Sequence, residues 1–341
     1  MTSSPNTETG RARLPDVRDV EGAARRLRGK ARLTPLLESA LLNAETGARL
    51  LIKAEPLQLT GSFKFRGAYN RISRIRGARR AAGVLAYSSG NHAQGVAAAA
   101  HILGLPAVIV MPDDAPAAKI EGTRFWGAEI VLYDRRSEDR EALARRLTAE
   151  RRATLVPPYD DRFVIAGQGT VGREIAAQAR ALGAALDLVL VPCGGGGLIA
   201  GCALALEHAS PGTPIYAVEP EAHDDTKRSL EAGRRTGASS PEAQSICDAL
   251  RLPMPGMLTF AINRARVAGG LVVTDGEVAR AMAAAFRHLK LVLEPSGAVA
   301  LAAALSGRIE LRGKTVAIIA SGGNVDPRLF CDAICQDSNM A

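Results

Sequence analysis

Aromatic side chains are scarce in this chain: Phe, Trp and Tyr together make up 4% of its 341 residues. Stacking platforms for nucleic-acid bases are therefore few. The excess of 43 Lys and Arg over 35 Asp and Glu, a formal net charge of +8, is too diffuse to replace them. It favours small anions such as phosphates and carboxylates, so no nucleic-acid partner is expected. Cysteine is sparse as well. Cys193, Cys202, Cys247, Cys331 and Cys335 form an odd, scattered set, which argues against a disulfide framework and for reduced thiols in the cytoplasm. Cys331 and Cys335 have helical i,i+4 spacing, but no His stands near them to complete a metal site. No apolar leader is present, and polar residues 1–15 read as a disordered tail. The uncharged run from Leu188 to Leu206 contains Pro192 and Gly194 to Gly197. It cannot stay helical and reads as strand, loop and helix rather than a membrane span.

What is present is an ordinary globular composition, 47% apolar and 23% charged, in a chain of about two domains' length. Short β-rich runs alternate with alanine-rich amphipathic ones. Strands are expected over 50–54, 84–88, 107–111, 129–132, 186–191, 215–219, 272–274 and 315–320. Helices are expected over 65–76, 92–103, 115–126, 138–151, 171–182, 198–208, 275–289 and 297–305. Thr274 and Glu277 form a capping-box pattern. This alternation predicts an α/β fold of parallel sheets with helices on both faces. Pro157 and Pro158 mark a joint, giving a small domain over 83–157 set within a large one made of 16–82 and 158–341. Ligands in such sheets bind beyond the carboxyl ends of the strands.

Four loops occupy or adjoin such positions. CGGGGL, Cys193 to Leu198, joins a buried strand to an apolar helix. Its glycines let backbone N–H groups converge on one centre beside a helix N-terminus, an anion cup suited to phosphate. TGSFKFRGAYN, Thr60 to Asn70, sets Lys64 between Phe63 and Phe65. The lysine is either a desolvated amine able to form a Schiff base or an ordinary snorkelling side chain. SSGNHAQG, Ser88 to Gly95, crowds two hydroxyls, an amide and an imidazole at a helix start, more than a single cap needs. SGGNVD, Ser321 to Asp326, offers a hydroxyl beside glycines. Together they fit pyridoxal phosphate: an aldehyde for Lys64, a phosphate for Gly194 to Gly197, a ring nitrogen for Ser321 and a substrate carboxylate for Ser88 to His92.

In the order GSFKFRGA, SSGNHAQG, PCGGGGL, EPSGAVAL and SGGNVD, from about Arg32 to Asp326, the chain resembles the fold-type II, tryptophan-synthase-β-like pyridoxal-phosphate enzymes. Within them it resembles the serine/threonine dehydratase and serine racemase branch. The resemblance implies two parallel-sheet domains with the cofactor in the cleft between them, and a homodimer. It implies Lys64 as the covalent attachment point and the base for the Cα proton. Phe63 and the peptide near Gly322 would flank the ring, with Asn91 on its phenolic oxygen. Gly194, Gly195, Gly196, Gly197 and Leu198 would hold the phosphate, and Ser321 would meet the ring nitrogen. Ser88, Asn91 and His92 would take the substrate carboxylate, helped by Arg140. Ser89 matches the acid/base position of the racemases, on the face opposite the lysine.

The stretch VEPEAHDD resembles the family's divalent-cation site, with Glu219 and Asp225 binding Mg²⁺ or Ca²⁺ through carboxylates and His223 through its backbone oxygen. The imidazole of His223 departs from the small residue common there, and an acidic turn is the competing reading. Arg71, Arg74, Arg76, Arg79 and Arg80 read as a solvated helix face. Glu141 and Arg145, at i,i+4, support a plain exposed helix that competes with the role given to Arg140. The expected activity is α,β-elimination of L-threonine or L-serine to a 2-oxo acid and ammonia, by a stand-alone or catabolic enzyme. The alternatives are 3-hydroxyaspartate elimination, in which Arg140 serves a second carboxylate, and racemisation through Ser89. A nucleotide-binding module would leave Lys64 and Ser321 unexplained. Residues 246–256 are expected to line the side-chain pocket.

Overall fold

The computed structural model describes residues 13–115 and 117–336. Among them ten strands form two sheets. The strands are β1 (Leu36–Leu37), β2 (Arg49–Ala54), β3 (Val84–Tyr87), β4 (Ala107–Pro112), β5 (Glu129–Tyr133), β6 (Thr154–Leu155), β7 (Leu188–Pro192), β8 (Ile215–Pro220), β9 (Gly269–Val273) and β10 (Thr315–Ala320). The six-stranded sheet has the order β1-β2-β10-β7-β8-β9, and the four-stranded sheet β5-β4-β3-β6. Every pairing is parallel except that of the edge strand β1 with β2. Central strands such as β7, LVLVP, are buried along their whole length, as helices on both faces require.

The eight expected strands and eight expected helices all form; those over 275–289 and 315–320 keep their expected ends, and the others shift. β9 starts at two glycines that carry no β signal, and β1 and β6 are two residues each, too short to show a period. The helix expected over 65–76 is instead Lys64–Ile72, with a separate turn of helix at Ala78–Ala82 after Gly77 at φ +58°. The basic run is therefore not one solvated face. Arg71 pairs with Asp161 at 2.9 Å, Arg74 lies over the Phe163 ring at 4.1 Å, and Arg80 donates to the Leu103 carbonyl at 2.6 Å. The Thr274–Glu277 capping box is present. The uncharged run becomes β7, a glycine loop and the helix Gly197–Ala209, and no described helix is long and apolar enough to cross a membrane. All five cysteines are free thiols.

An ion cluster buried behind the Lys64–Ile72 helix ties that helix to its surroundings. Arg66 grips Glu55 through two hydrogen bonds of 2.8 Å, and its third nitrogen reaches Glu174 at 2.6 Å. Lys53 donates to the other Glu174 oxygen at 2.7 Å and to the Thr34 carbonyl. Burial alone would raise the Glu55 carboxyl, yet Arg66 holds it below the usual range. Two cations and two anions balance, and each is hydrogen-bonded, the condition under which buried charge is tolerated.

Arg66→Met leaves Glu55 buried without its cation and should lower the unfolding free energy by about 3–5 kcal/mol in urea denaturation. The double variant Arg66→Met/Glu55→Met should lose less than the single one. An unchanged denaturation midpoint in the single variant counts against the role given to this cluster.

Candidate active site

The carboxyl ends of β3, β7 and β10 open onto one cavity of about 180 Å³. It is lined by Phe63, Lys64, Ser88, Ser89, Asn91, His92, Arg140, Gly194 to Gly197, Leu198 and Ser321, while Gly322, expected beside the ring, is not among its lining residues. Their distance in sequence is bridged by parallel strands whose ends lie side by side. β10 pairs with both β2 and β7, so Ser321, the turns leading to Lys64 and the glycine loop become neighbours.

The glycine loop is shaped from outside. Thr259 donates to the Gly195 carbonyl at 2.7 Å and Asn263 to the Gly196 carbonyl at 3.5 Å. In a trans peptide the following N–H points the opposite way, which turns the amides of Gly196 and Gly197 away from those two side chains. Gly196 sits at φ +84°, a conformation costly for any other residue. A Cβ on Gly195 would lie 2.4 Å from the Tyr159 ring, and one on Gly196 2.8 Å from Asn263. No side chain larger than hydrogen fits at either position. The first turn of the Gly197–Ala209 helix adds unpaired N–H groups and the positive end of its dipole.

The Lys64 amine donates to the Pro158 carbonyl at 2.9 Å and lies 5.2 Å from the Phe63 ring centre. Desolvation pushes its pKa down to about 8, with the Glu294 charge opposing the shift. A reactive amine therefore faces a ready-made anion cup across one cavity.

Residues 27–322 match the family described as "Pyridoxal-phosphate dependent enzyme". The chain belongs to that family. It is 47% identical over 313 residues to an L-threo-3-hydroxyaspartate ammonia-lyase of a Pseudomonas species, covering 92% of this chain and 96% of that one. It is 40% identical to a serine racemase of Schizosaccharomyces pombe, covering 95% and 98%. The crystal structure of a threonine deaminase from T.th. superposes with a TM-score of 0.86 at 46% identity, covering 92% of this chain and 99% of that one.

The cavity fits the family's cofactor in its donor set. The cup is one that any Cβ would disrupt, and Ser321, 5% exposed, is a hydroxyl-bearing residue that lines the same cavity. Asn91 is held at both ends. Its Nδ2 donates to Glu294 and its Oδ1 accepts from Asn324 at 2.8 Å, leaving one amide N–H free to donate. His92 is neutral: burial pushes its pKa down to about 3, and its Nε2 faces the Val156 carbonyl at 2.8 Å. Its Nε2 is thus committed to the fold while Nδ1 is buried without a partner, and the donor it offers an anion is its backbone N–H at the start of the Asn91–Leu103 helix. Ser88 accepts from the Gly90 N–H at 3.2 Å and shapes the turn before that helix.

Glu294, which heads the EPSGAVAL stretch, has a place at the site that the sequence alone does not assign. Glu294 is 3% exposed, touches Asn91, and lies so close beneath Gly322 that a Cβ there would meet its carboxylate at 2.1 Å. Burial, with Asp248 adding to it, pushes its pKa up to about 7. The signal was available as the one charge heading an uncharged buried helix, Pro295–Leu305. Tyr159, whose ring covers the glycine loop, and Arg251 also line the cavity and were missed as individual residues. The expectation for 246–256 holds for Asp248 to Leu252, which form part of the wall. Arg140 lies 5.7 Å from the Tyr87 ring and makes no ion pair among the described residues, while Glu141 reaches Arg145 at 3.7 Å. The exposed i,i+4 pair expected of this helix is present, and Arg140 lies on the side that lines the cavity.

Glu219, His223 and Asp225 lie outside this cavity. Glu219 accepts from the Thr226 and Lys227 amides at 2.9 and 2.8 Å. Asp225 is fully buried with neither oxygen hydrogen-bonded. Burial pushes both carboxyls up, with the Asp225 charge adding to it at Glu219 and the Asp224 charge at Asp225. The His223 ring faces the Ala243 carbonyl at 3.1 Å, and among the described residues no three His, Cys, Asp or Glu side chains converge as a metal cluster. Two carboxylates with two unpartnered oxygens fit a hard cation that takes its remaining ligands from backbone or water.

In cofactor-free protein, labelling of Lys64 by an amine-directed reagent should rise with pH through about 8, because only the neutral amine reacts. Peptide mass mapping reads the extent. Labelling that stays flat until the ordinary lysine range would contradict the desolvated amine.

Proposed function

We propose that the chain is a pyridoxal-phosphate-dependent ammonia-lyase that converts a β-hydroxy amino acid to a 2-oxo acid and ammonia, with L-threonine and L-serine as substrates. The observation that carries this reading is the Lys64 amine, desolvated and facing the glycine cup across a single cavity. When bound, the cofactor supplies an aldehyde for attachment and a conjugated ring that delocalises charge developing at the substrate Cα. Lys64 Nζ, as a neutral amine, would be the base placed to take the substrate Cα proton. The free N–H groups at the start of the Asn91–Leu103 helix hold the α-carboxylate, with Ser88 shaping that turn. Asn91 uses its remaining N–H on the cofactor's phenolic oxygen, oriented by Glu294 and Asn324. Ser321 presents a neutral hydroxyl to the ring nitrogen and cannot hold it protonated as a carboxylate would. A neutral hydroxyl there would draw less charge into the ring than a carboxylate partner would, which suits substrates that carry a β-leaving group. Ser89 stands ready as acid or base on the opposite face, and racemisation as a side reaction follows from it. Glu219 and Asp225 bind Mg²⁺ or Ca²⁺, with the His223 backbone oxygen as a further ligand. Residues 83–157 act as a small domain against the rest, in a homodimer.

A second reading is favoured by one observation. Of the basic side chains lining the cavity, Lys119 is paired with Asp248 at 2.6 Å, but Arg140 and Arg251 have no carboxylate partner among the described residues. A second substrate carboxylate would satisfy them, which makes 3-hydroxyaspartate the alternative substrate. The resemblance to the Pseudomonas ammonia-lyase supports it.

Borohydride reduction of the loaded enzyme and peptide mapping should find the cofactor on Lys64. The enzyme should release pyruvate or 2-oxobutanoate from L-serine or L-threonine, and Lys64→Ala should abolish both labelling and product. An unlabelled residue 64 would overturn the assignment.

If the dicarboxylate reading holds, Arg140→Met and Arg251→Met should each cut kcat/KM for L-threo-3-hydroxyaspartate roughly 10- to 150-fold, the value of a charge-assisted hydrogen bond. The rate on L-serine should stay nearly unchanged. Equal losses on both substrates would sink the second reading.

A further inference from the structure

The acidic pair and the phosphate cup are joined by a continuous chain of buried contacts. Glu219, at the end of β8, accepts from the backbone N–H of Thr226 at 2.9 Å. The Thr226 hydroxyl lies 3.3 Å from the Cys193 thiol. The same sulfur lies 3.6 Å from the carbonyl of Gly194, the first glycine of the cup. Cys193 is in turn tied to β8 beside Glu219, through its N–H to the Val218 carbonyl at 2.9 Å. Glu219, Thr226 and Cys193 are all at or below 1% exposure, so this chain of contacts is shielded from bulk solvent. Interiors this dense do not deform continuously, and a shift at one end is passed to the other.

The second observation concerns Asp225. Both its oxygens are buried and unpartnered, and it is the residue immediately before Thr226. A cation drawn to Asp225 and Glu219 therefore pulls on the two residues that flank or hold Thr226. We propose that Thr226 and Cys193 are positioning residues that couple cation binding at Glu219 and Asp225 to phosphate binding at Gly194 to Gly197. The inference rests on the cation reading above. It adds that the cation acts by setting the cup, while the cup's N–H groups alone touch the phosphate. Linkage makes the effect reciprocal: a phosphate in the cup must tighten the cation by the same factor.

The test uses pyridoxamine 5′-phosphate, which carries the phosphate but no aldehyde, so Lys64 attachment does not contribute. Its dissociation constant is measured on the cofactor-free full chain, with saturating Mg²⁺ and with EDTA. Mg²⁺ binding is measured separately by calorimetry with and without the probe. In the wild type the two sites should strengthen each other by one common factor, within the roughly 5- to 150-fold span of such couplings. Thr226→Val keeps the backbone N–H to Glu219 and the shape of the side chain but removes the hydroxyl. It should still bind Mg²⁺, with the coupling factor reduced toward 1. Thr226→Ser restores the hydroxyl and should restore the coupling, which a merely structural role would not predict. Full coupling in Thr226→Val overturns the route, as does a wild-type factor of 1 with Mg²⁺ demonstrably bound. Absence of any Mg²⁺ or Ca²⁺ binding to the wild type overturns the cation reading itself.

Discussion

An amine held where water cannot fully reach it is the constraint on which this molecule is built. Lys64 Nζ has a backbone carbonyl, that of Pro158, as its hydrogen-bond partner, and its affinity for a proton drops accordingly. Keeping such a group in place requires a rigid support. The buried cluster of Lys53, Glu55, Arg66 and Glu174 supplies it from behind, fixing the first turn of the helix that starts at Lys64. Charge that would be costly if unbalanced is matched pair by pair, and the reactive lysine inherits a fixed direction.

The remaining parts of the cavity follow from the geometry of parallel sheets. The helices Lys64–Ile72, Asn91–Leu103 and Gly197–Ala209 all begin at this cavity. Their free N–H groups and dipoles make it attractive to anions before any basic side chain is counted. The buried carboxyl closest to the chemistry, Glu294, is pushed toward neutrality by the same burial and offsets little of that field. Its use is directional: it fixes the Asn91 amide, whose oxygen Asn324 takes up.

Behind the cup, acceptor oxygens take the place of the N–H donors. Glu219 and Asp225 form a buried pair with more acceptor oxygens than donors, separated from the glycine loop by Cys193 and Thr226. An anion site and a site suited to a cation thus stand back to back on neighbouring strands β7 and β8, each lowering the electrostatic cost of filling the other.

The sequence by itself determined the alternation of strands and helices, the glycine loop and the set of residues that gather around one cavity. Those features are written in local rules: period, capping and the conformations only glycine adopts cheaply. The buried runs of β7 and β10 and the capping box at Thr274 belong to this class. It did not determine whether Lys64 was a desolvated amine or a snorkelling one, because desolvation depends on Pro158, Glu294 and others far along the chain. Nor did it separate Arg140 from its helix neighbour Glu141, or show that Arg71 and Arg74 would be engaged by Asp161 and Phe163. Glu294, Tyr159 and Thr226 acquire their roles only when strands distant in sequence are laid side by side. Contact, burial and the field of other charges belong to three dimensions, and no single stretch of residues carries them.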